Sequence, residues 1–283
     1  MTFFRESDAL RHWSEECVKR NETVALVPTM GALHDGHLSL IKLAKSQATQ
    51  VVVSIFVNPK QFGPNEDLDT YPREEEKDIV KAKSAGATAF YCPSPSSMYK
   101  NEFKTTVSVS DLQNHLCGAS RAGHFDGVTT VVSKLFLSAR PHVAVFGQKD
   151  FQQLAIIKRM VDDLDFGIKI IGAPIHRADD GLAMSSRNRN LNAEERQQAL
   201  SLHKSILLVQ RLFKAGERNA SALENKAYEL ISQQPLAEIE YVSIQHALTL
   251  EPVNVIKETC VLALAVRFSN TRLIDNTVLA PSP

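Results

Sequence analysis

Met30-Gly31-Ala32-Leu33-His34-Asp35-Gly36-His37 stands where the apolar run Val24 to Val27 gives way to a helical pattern. The run before it is short, β-branched and bounded by Pro28, which predicts a buried strand ending there. After it, Leu38, Ile41, Leu43, Ala44 and Ala48 recur at helical spacing, so the turn between them opens a helix. His34 and His37 are three residues apart and share a face on a helical first turn, while Gly36 between them leaves room for a ligand to approach the backbone. A helix N-terminus with free N–H groups and two imidazoles suits a polyphosphate. Two other readings stand beside this one: half of a metal site, for which no Cys or third His lies at ligand spacing, and ordinary surface histidines.

Outward from this turn, strand-like runs alternate with helical patterns up to about Gly172. The runs are Val51 to Val57, Thr88 to Tyr91, Val143 to Phe146 and Ile168 to Ile171; the helices are Leu38 to Ala48, Glu74 to Ala85, Val128 to Leu137 and Phe151 to Leu164. This is the grammar of repeated βαβ units, predicting an α/β fold with a mainly parallel, Rossmann-like sheet. Ligands in such sheets bind at the carboxyl ends of the strands, where His34, Asn58 and Gly147 fall. After Pro174 the pattern changes. Asp179-Asp180-Gly181 supplies turn residues, Asn192 and Glu195 form a capping box for a helix running through Leu212, and strand-like runs follow at Ile239 to Ile244 and Cys260 to Val266. The expected organisation is a first domain over 1–173 and a smaller α+β domain over 174–283.

Composition narrows the function classes. Lys+Arg and Asp+Glu balance at 32 each, leaving no basic excess for a nucleic-acid backbone. Cys17, Cys92, Cys117 and Cys260 are widely spaced, without a C-x-x-C, which suggests neither a zinc site nor a disulfide framework and fits a reducing cytoplasm. Residues 1–8 carry no signal-peptide core, and no window approaches a membrane span.

Three further segments carry chemistry-bearing side chains. Phe56-Val57-Asn58-Pro59-Lys60-Gln61-Phe62 places two amides after a buried strand, and by itself also fits a strand-terminating turn. Phe146-Gly147-Gln148-Lys149-Asp150-Phe151-Gln152-Gln153 puts Lys149 where it can neutralise phosphate and Gln153 one helical turn later on the same side. Gly181-Leu182-Ala183-Met184-Ser185-Ser186-Arg187-Asn188 combines two hydroxyls and a forked guanidinium in a loop, a phosphate clamp or a plain turn. Between the first two of these, Gly63 to Asp78 is an acidic stretch that reads as a solvated loop or a lid over the site.

Taken together, the H-x-G-H turn and the distant Met-Ser-Ser-Arg loop resemble the paired signatures of adenylate-forming enzymes related to class I aminoacyl-tRNA synthetases and nucleotidyltransferases. More closely, Pro28 to His37, Phe56 to Phe62, Tyr71-Pro72-Arg73, Gly123 to Val128, Phe146 to Asp150, Ala183 to Asn188 and Thr271 to Asn276 resemble the pantothenate synthetase family, over nearly the whole chain. That resemblance implies ATP-dependent condensation of pantoate with β-alanine through a pantoyl adenylate, releasing AMP and pyrophosphate. It implies ATP contacts from Met30, Gly31, Ala32, Leu33, His34, Asp35, Gly36 and His37, from Gly147, Gln148, Lys149 and Asp150, and from His176, Met184, Ser185, Ser186 and Arg187. His37, His34 and Lys149 would act on the phosphates, with His37 nearest the charge developing at the α-phosphate. Gln61 and Gln153 would bind pantoate against Val128, Val131 and Val132, with Gln61 also near β-alanine. Magnesium, a homodimer and a cytoplasmic location are implied too.

Two positions depart from the family pattern. His176 replaces a small aliphatic residue beside adenine, and Lys77 stands where an acidic residue accompanies magnesium. No metal ligand is therefore assigned; Asp78 is the candidate for indirect support, and ATP's own phosphates and water for direct coordination. A nucleotidyltransferase moving AMP onto a phosphorylated acceptor is the competing enzyme class, and a catalytically silent nucleotide-binding module the competing non-enzyme reading. Uncharged Gln61 and Gln153 suit a hydroxy acid better than a phosphate.

Overall fold

Strand β2 (Val24–Thr29) is buried on both faces, with Val24 to Val27 fully inaccessible. Such a continuous apolar run is what a central parallel strand needs, because helices cover both sides of the sheet. The computed structural model describes residues 2–64 and 66–281. In it β2 pairs in parallel with β3 (Gln50–Ile55) from Val24 to Thr29, and with β5 (Val143–Gly147) only at Ala25 and Leu26. The strand thus continues past Pro28, where the sequence predicted its end. The reason is directional: Val24 N–H points to the β5 side, donating to His142 Nδ1 at 3.1 Å. Pro28, four residues on, turns its missing N–H to that same side, where pairing with β5 has already stopped.

The other strands of this sheet are β1 (Thr2–Phe4), β4 (Ala89–Tyr91) and β6 (Lys169–Ala173), giving the order β1-β4-β3-β2-β5-β6 with every pairing parallel. The chain leaves β2 in one direction, toward β3, and β5 lies on the other. This reversal, together with the splaying of β2 from β5 after Leu26, opens a crevice at the carboxyl ends of the strands, the usual ligand position in such sheets.

Helices α1 (Ser7–Lys19), α6 (His124–Ala139) and α7 (Phe151–Asp163) cover one face, where Leu10, Leu26, Val52, Phe136 and Ile156 share a core. Helices α2 (Asp35–Gln47) and α3 (Glu75–Ser84) cover the other, packing Ile41, Ala44 and Ala82 on Ala25, Val27 and Val53. Two short helices, α4 (Pro95–Met98) and α5 (Leu116–Ser120), lie in the connection from β4 to α6.

Past β6 the chain forms helices α8 (Ala193–Lys214) and α9 (Ala220–Ser232) and an antiparallel sheet of β7 (Ala237–His246), β8 (Cys260–Phe268) and β9 (Thr271–Leu279), in that order. One face of β8 sends Leu262, Leu264 and Val266 into a core with Leu202, Ile206 and Leu223, while Val261 packs into the core of the large sheet. The capping box is present, with Glu195 N–H donating to Asn192 Oδ1 and Asn192 N–H to Glu195 Oε2, both at 2.9 Å. Such a cap contributes about 1 kcal/mol. Gly181 makes the predicted turn at φ +93°, a conformation that favours glycine.

Candidate active site

The turn after β2 is tied from beneath. Ala32 and Leu33 donate their N–H groups to Asp78, each at 2.7 Å, and Asp78 is fully buried at the start of α3. Gly31, at φ +85°, lets the chain reverse there, and a Cβ on it would lie 3.0 Å from Asp78 Oδ2. Asp78 is thus engaged by backbone donors, and Lys77 pairs with Glu74 at 2.8 Å on the outside of α3.

His34 caps α2 from an extended conformation, its carbonyl accepting from His37 N–H at 2.8 Å. His34 N–H donates to His37 Nδ1 at 3.3 Å, which makes Nδ1 an acceptor and leaves the His37 proton on Nε2. The rings lie 4.0 Å apart, on one face as their spacing predicted. Burial pushes the His37 pKa down to about 3, helped by His34 and Lys149, and burial with Lys149 nearby pushes His34 down to about 4. Both imidazoles are therefore neutral donors at physiological pH. Gly36, at the wall of the crevice, also makes room within the turn itself. The His34 ring lies over it, so that a Cβ would meet His34 Nδ1 and Cε1 at 2.9 Å. The glycine makes room for an imidazole, whose Nδ1 is buried without a hydrogen-bond partner.

A second group forms around the 3₁₀ turn Pro59–Gln61. Asn58, expected at the ligand edge, borders the crevice there, yet it is buried and its amide is engaged by the protein: it donates to Gln61 Oε1 and to Gly127 O, each at 3.0 Å, and accepts from Tyr99 OH at 2.7 Å. This amide holds Gln61 from behind. His124 supports the same turn. Arg121 can only donate, so its 2.9 Å contact makes His124 Nε2 an acceptor, and Nδ1–H donates to Gln61 O at 2.7 Å. Burial and Arg121 lower the His124 pKa to about 4, keeping this tautomer. Arg121 is gripped by Glu66 at 2.6 and 2.7 Å.

The third group comes from the 3₁₀ turn Gln148–Asp150 after β5, which presents Lys149, and from the loop Met184 to Arg187. Arg187 is held by Asp67 through two hydrogen bonds, 3.1 and 2.8 Å. Burial opposes the guanidinium charge, but the Asp67 carboxylate outweighs it and the pKa is raised. The acidic stretch is accordingly neither free nor simply solvated. Glu66, Asp67, Glu74 and Glu75 each meet a basic side chain. Asn65, within that stretch, lies outside the described residues.

These groups border two adjoining chambers of the crevice, both open to solvent. One, of about 910 Å³ with that open space included, is walled by His34, Gly36, Gly147, Lys149, Pro174, His176 and Met184 to Arg187. The other, of about 950 Å³ with its open space included, is walled by Gln61, Phe62, His124, Val128, Val131, Val132 and Leu135. Met30, His37, Tyr71, Asp150, Gln153 and Arg187 border both. Not every expected residue reaches them: Gly31, Ala32 and Leu33 turn into the protein, Asp35 is exposed, and Gln148 offers its carbonyl to Asn276. Asp67 and Arg121 were not singled out from the sequence as contacts of the site, although Asp67 sat in the acidic stretch; Asp78, named only as an indirect support for magnesium, instead anchors the backbone of the turn. Tyr71 and His124 fell within quoted motifs without a role.

A Pantoate-beta-alanine ligase family model matches residues 2–278. A pantothenate synthetase of Desulfatibacillum aliphaticivorans is 50% identical over 281 residues, 99% of this chain and 100% of that protein. Among solved structures, a pantothenate synthetase from Thermus thermophilus superposes with a TM-score of 0.94 at 39% identity, covering 99% of this chain and 100% of its own. A pantoate–β-alanine ligase from Francisella tularensis, solved with Beta-gamma ATP and β-alanine, gives a TM-score of 0.79 at 33% identity over 100% and 99% of the two chains.

Proposed function

The chain belongs to the pantoate–β-alanine ligase family, and from that premise we propose how its crevice joins the two substrates. It is an ATP-dependent ligase of pantothenate biosynthesis. The observation that carries the mechanism is the pair of chambers with His37 and Gln153 on their common border. One chamber has the cationic and hydroxyl groups a triphosphate requires; the other has an apolar wall and amides suited to a small branched hydroxy acid.

In this reading Lys149, Ser185, Ser186 and Arg187 hold the triphosphate, and the start of α2 adds its dipole. Gly147, Asp150, Met184 and His176 border the nucleoside. The turn Gly31 to Leu33 acts through its anchored backbone rather than its side chains, while the Met30 thioether borders both chambers and meets Gln61 Nε2 at 3.1 Å. Pantoate lies with its methyl groups on Val128, Val131 and Val132 and its oxygens on Gln61 and Gln153. Its carboxylate oxygen attacks the α-phosphorus, forming the acyl–phosphate bond as the bond to pyrophosphate breaks. The β-alanine amine, near Gln61 and having lost a proton, then attacks the acyl carbon, and AMP departs with the C–O electrons. No protein nucleophile is needed: the rate comes from positioning and from donors aimed at developing charge. A neutral His37 with its proton on Nε2 is such a donor, and His34 adds a second imidazole beside it.

Magnesium belongs to this reading as the companion of ATP. Among the described residues no cluster of three or more His, Cys, Asp or Glu side chains is arranged to hold a metal, and Asp78 is engaged by backbone N–H groups. In this reading phosphate oxygens and water would supply the coordination, with the protein positioning the phosphates. A cytoplasmic location, a homodimer and a division into domains 1–173 and 174–283 complete the proposal. All four cysteines are buried and unpaired, as suits a reducing compartment, and among the described residues no helix is long and apolar enough to cross a membrane.

The test is exchange of labelled pyrophosphate into ATP with pantoate present and β-alanine absent. Pantoate-dependent exchange is expected. Folded protein that exchanges nothing contradicts the adenylate route, and exchange that ignores pantoate but follows a phosphorylated acceptor assigns the site to a nucleotidyltransferase.

A further inference from the structure

Asp275 and Asn276, on β9 of the small sheet, reach both halves of the ATP chamber. Asn276 is 3% exposed, and its Nδ2 donates to Gln148 O at 3.0 Å and to Lys149 O at 2.8 Å. The two amide protons match two carbonyls, while Oδ1 is buried without a partner. Flipping the amide would set an oxygen against two carbonyl oxygens, so its orientation is fixed. The described peptide bonds are trans, and a trans planar peptide points its N–H opposite to its C=O. Holding these two carbonyls therefore also sets the N–H groups of Lys149 and Asp150, directed away from β9.

A three-residue 3₁₀ turn has little internal bonding to keep its shape. The Asn276 tie supplies what the turn lacks, at the residue whose ammonium meets phosphate. Its neighbour reaches the other half. Asp275, 2% exposed, takes both arms of Arg177 at 2.7 and 2.9 Å, and Arg177 Nη1 also donates to Gly181 O at 3.2 Å. Arg177 follows His176 and stabilises the hairpin that leads into Met184 to Arg187. Asn276 N–H closes the unit on Asp275 Oδ1 at 2.8 Å.

We propose that Asn276 is a positioning residue for adenylation: through two hydrogen bonds from the small sheet it sets the turn that aims Lys149 at the triphosphate. This rests on the role given above to Lys149. Asn276→Asp keeps the shape and replaces a double donor by a carboxylate facing two carbonyls. Misplacing a catalytic group by about 1 Å costs about 10²-fold, so that loss is expected in the kcat of pantoate-dependent pyrophosphate exchange, read below the variant's melting temperature, which the buried carboxylate lowers. The reading that separates positioning from general damage is a double-mutant cycle. In a Lys149→Ala background the same substitution is expected to cost less than about threefold, because the group it aims is gone.

Asn276→Asp within about twofold of the parent overturns the proposal, as does a full, multiplicative loss in the Lys149→Ala background. If Asn276→Asp does not fold, Asn276→Ala removes the donors without adding charge and runs through the same cycle. If neither folds, Asn276 is a structural residue and the proposal fails. Parent protein without pantoate-dependent exchange would instead refute the functional reading of the site, so the two failures are distinguishable.

Discussion

Replacing Gly36 by alanine is expected to slow adenylation while leaving the fold intact. The added Cβ would lie 2.9 Å from Nδ1 and Cε1 of His34 and 3.5 Å from Met184 Cβ, against an ordinary contact of 3.4 Å or more. Met184 can stay, but the imidazole must withdraw by about 0.5 Å or rotate away, since it is the free end of a side chain and the helix backbone is not. Stability moves little: alanine removes up to about 1 kcal/mol of helix penalty, which offsets the displaced contact. Rate responds far more, because a displacement of this size costs between about 10- and 10²-fold in a positioned site. The assay pairs a thermal melt with pantoate-dependent pyrophosphate exchange. A Gly36→Ala protein that exchanges at the parent rate would refute the claim that the ring over Gly36 is part of the machinery. One that loses activity only because it melts would refute the separation of rate from stability.

Other perturbations follow from the same geometry. His37→Ala should fold and lose about 10²- to 10³-fold in exchange rate, as for other donors aimed at developing charge; near-normal turnover would remove His37 from its place. Asp67→Asn frees Arg187 from a half-exposed pair, so binding of inorganic pyrophosphate should tighten roughly threefold in calorimetry, and unchanged or weaker binding would show that the pair does not compete with phosphate. Gly127→Ala would put a Cβ 2.3 Å from the backbone oxygen of Lys60, costing about 3 kcal/mol in denaturant unfolding; parent-like stability would contradict that close approach. Folding fixes His37, His34 and His124 with pKa values lowered to about 3, 4 and 4, whereas the unfolded chain protonates them near 6.5. Between these values the unfolded state binds more protons, so stability is held above about pH 6.5 and lost on acidification, by several kcal/mol at pH 5. Equal denaturation midpoints at pH 7 and pH 5 would contradict this.

The central sheet was legible because β2 and β3 are apolar on both faces and each is followed by a turn and an amphipathic helix. Edges were harder to read. The three residues of β1 are too few for a pattern, and α1 behind it and α9 later were not anticipated. In β9, Arg272, Asp275, Asn276 and Thr277 interrupt the apolar signal because each has a polar partner: Glu240 on β7 for Arg272, Gln210 on α8 for Thr277, and Arg177 and the turn after β5 for Asp275 and Asn276. Helix α6 begins at His124, four residues before the expected Val128, since its first turn is chosen by contacts to Gln61 rather than by apolar spacing. At the site, short motifs marked His34, His37, Gln61, Lys149 and Arg187, whose neighbours in the chain announce a turn. Their partners were not visible in the same way. Asp78 grips the H-x-G-H turn from 45 residues away, and Asp67 reaches Arg187 across 120. An aspartate in an acidic stretch looks solvated until the fold brings a donor to it. Gly36 was recognised as making room, but only coordinates show that the occupant is His34.

One carboxylate oxygen of pantoate crosses between the two chambers. Pantoate labelled with ¹⁸O in its carboxylate, turned over with ATP and β-alanine, should deliver one labelled oxygen to AMP and none to pyrophosphate. Label in pyrophosphate or in inorganic phosphate, or AMP free of label, would contradict attack on the α-phosphorus at the wall that His37 and Gln153 share.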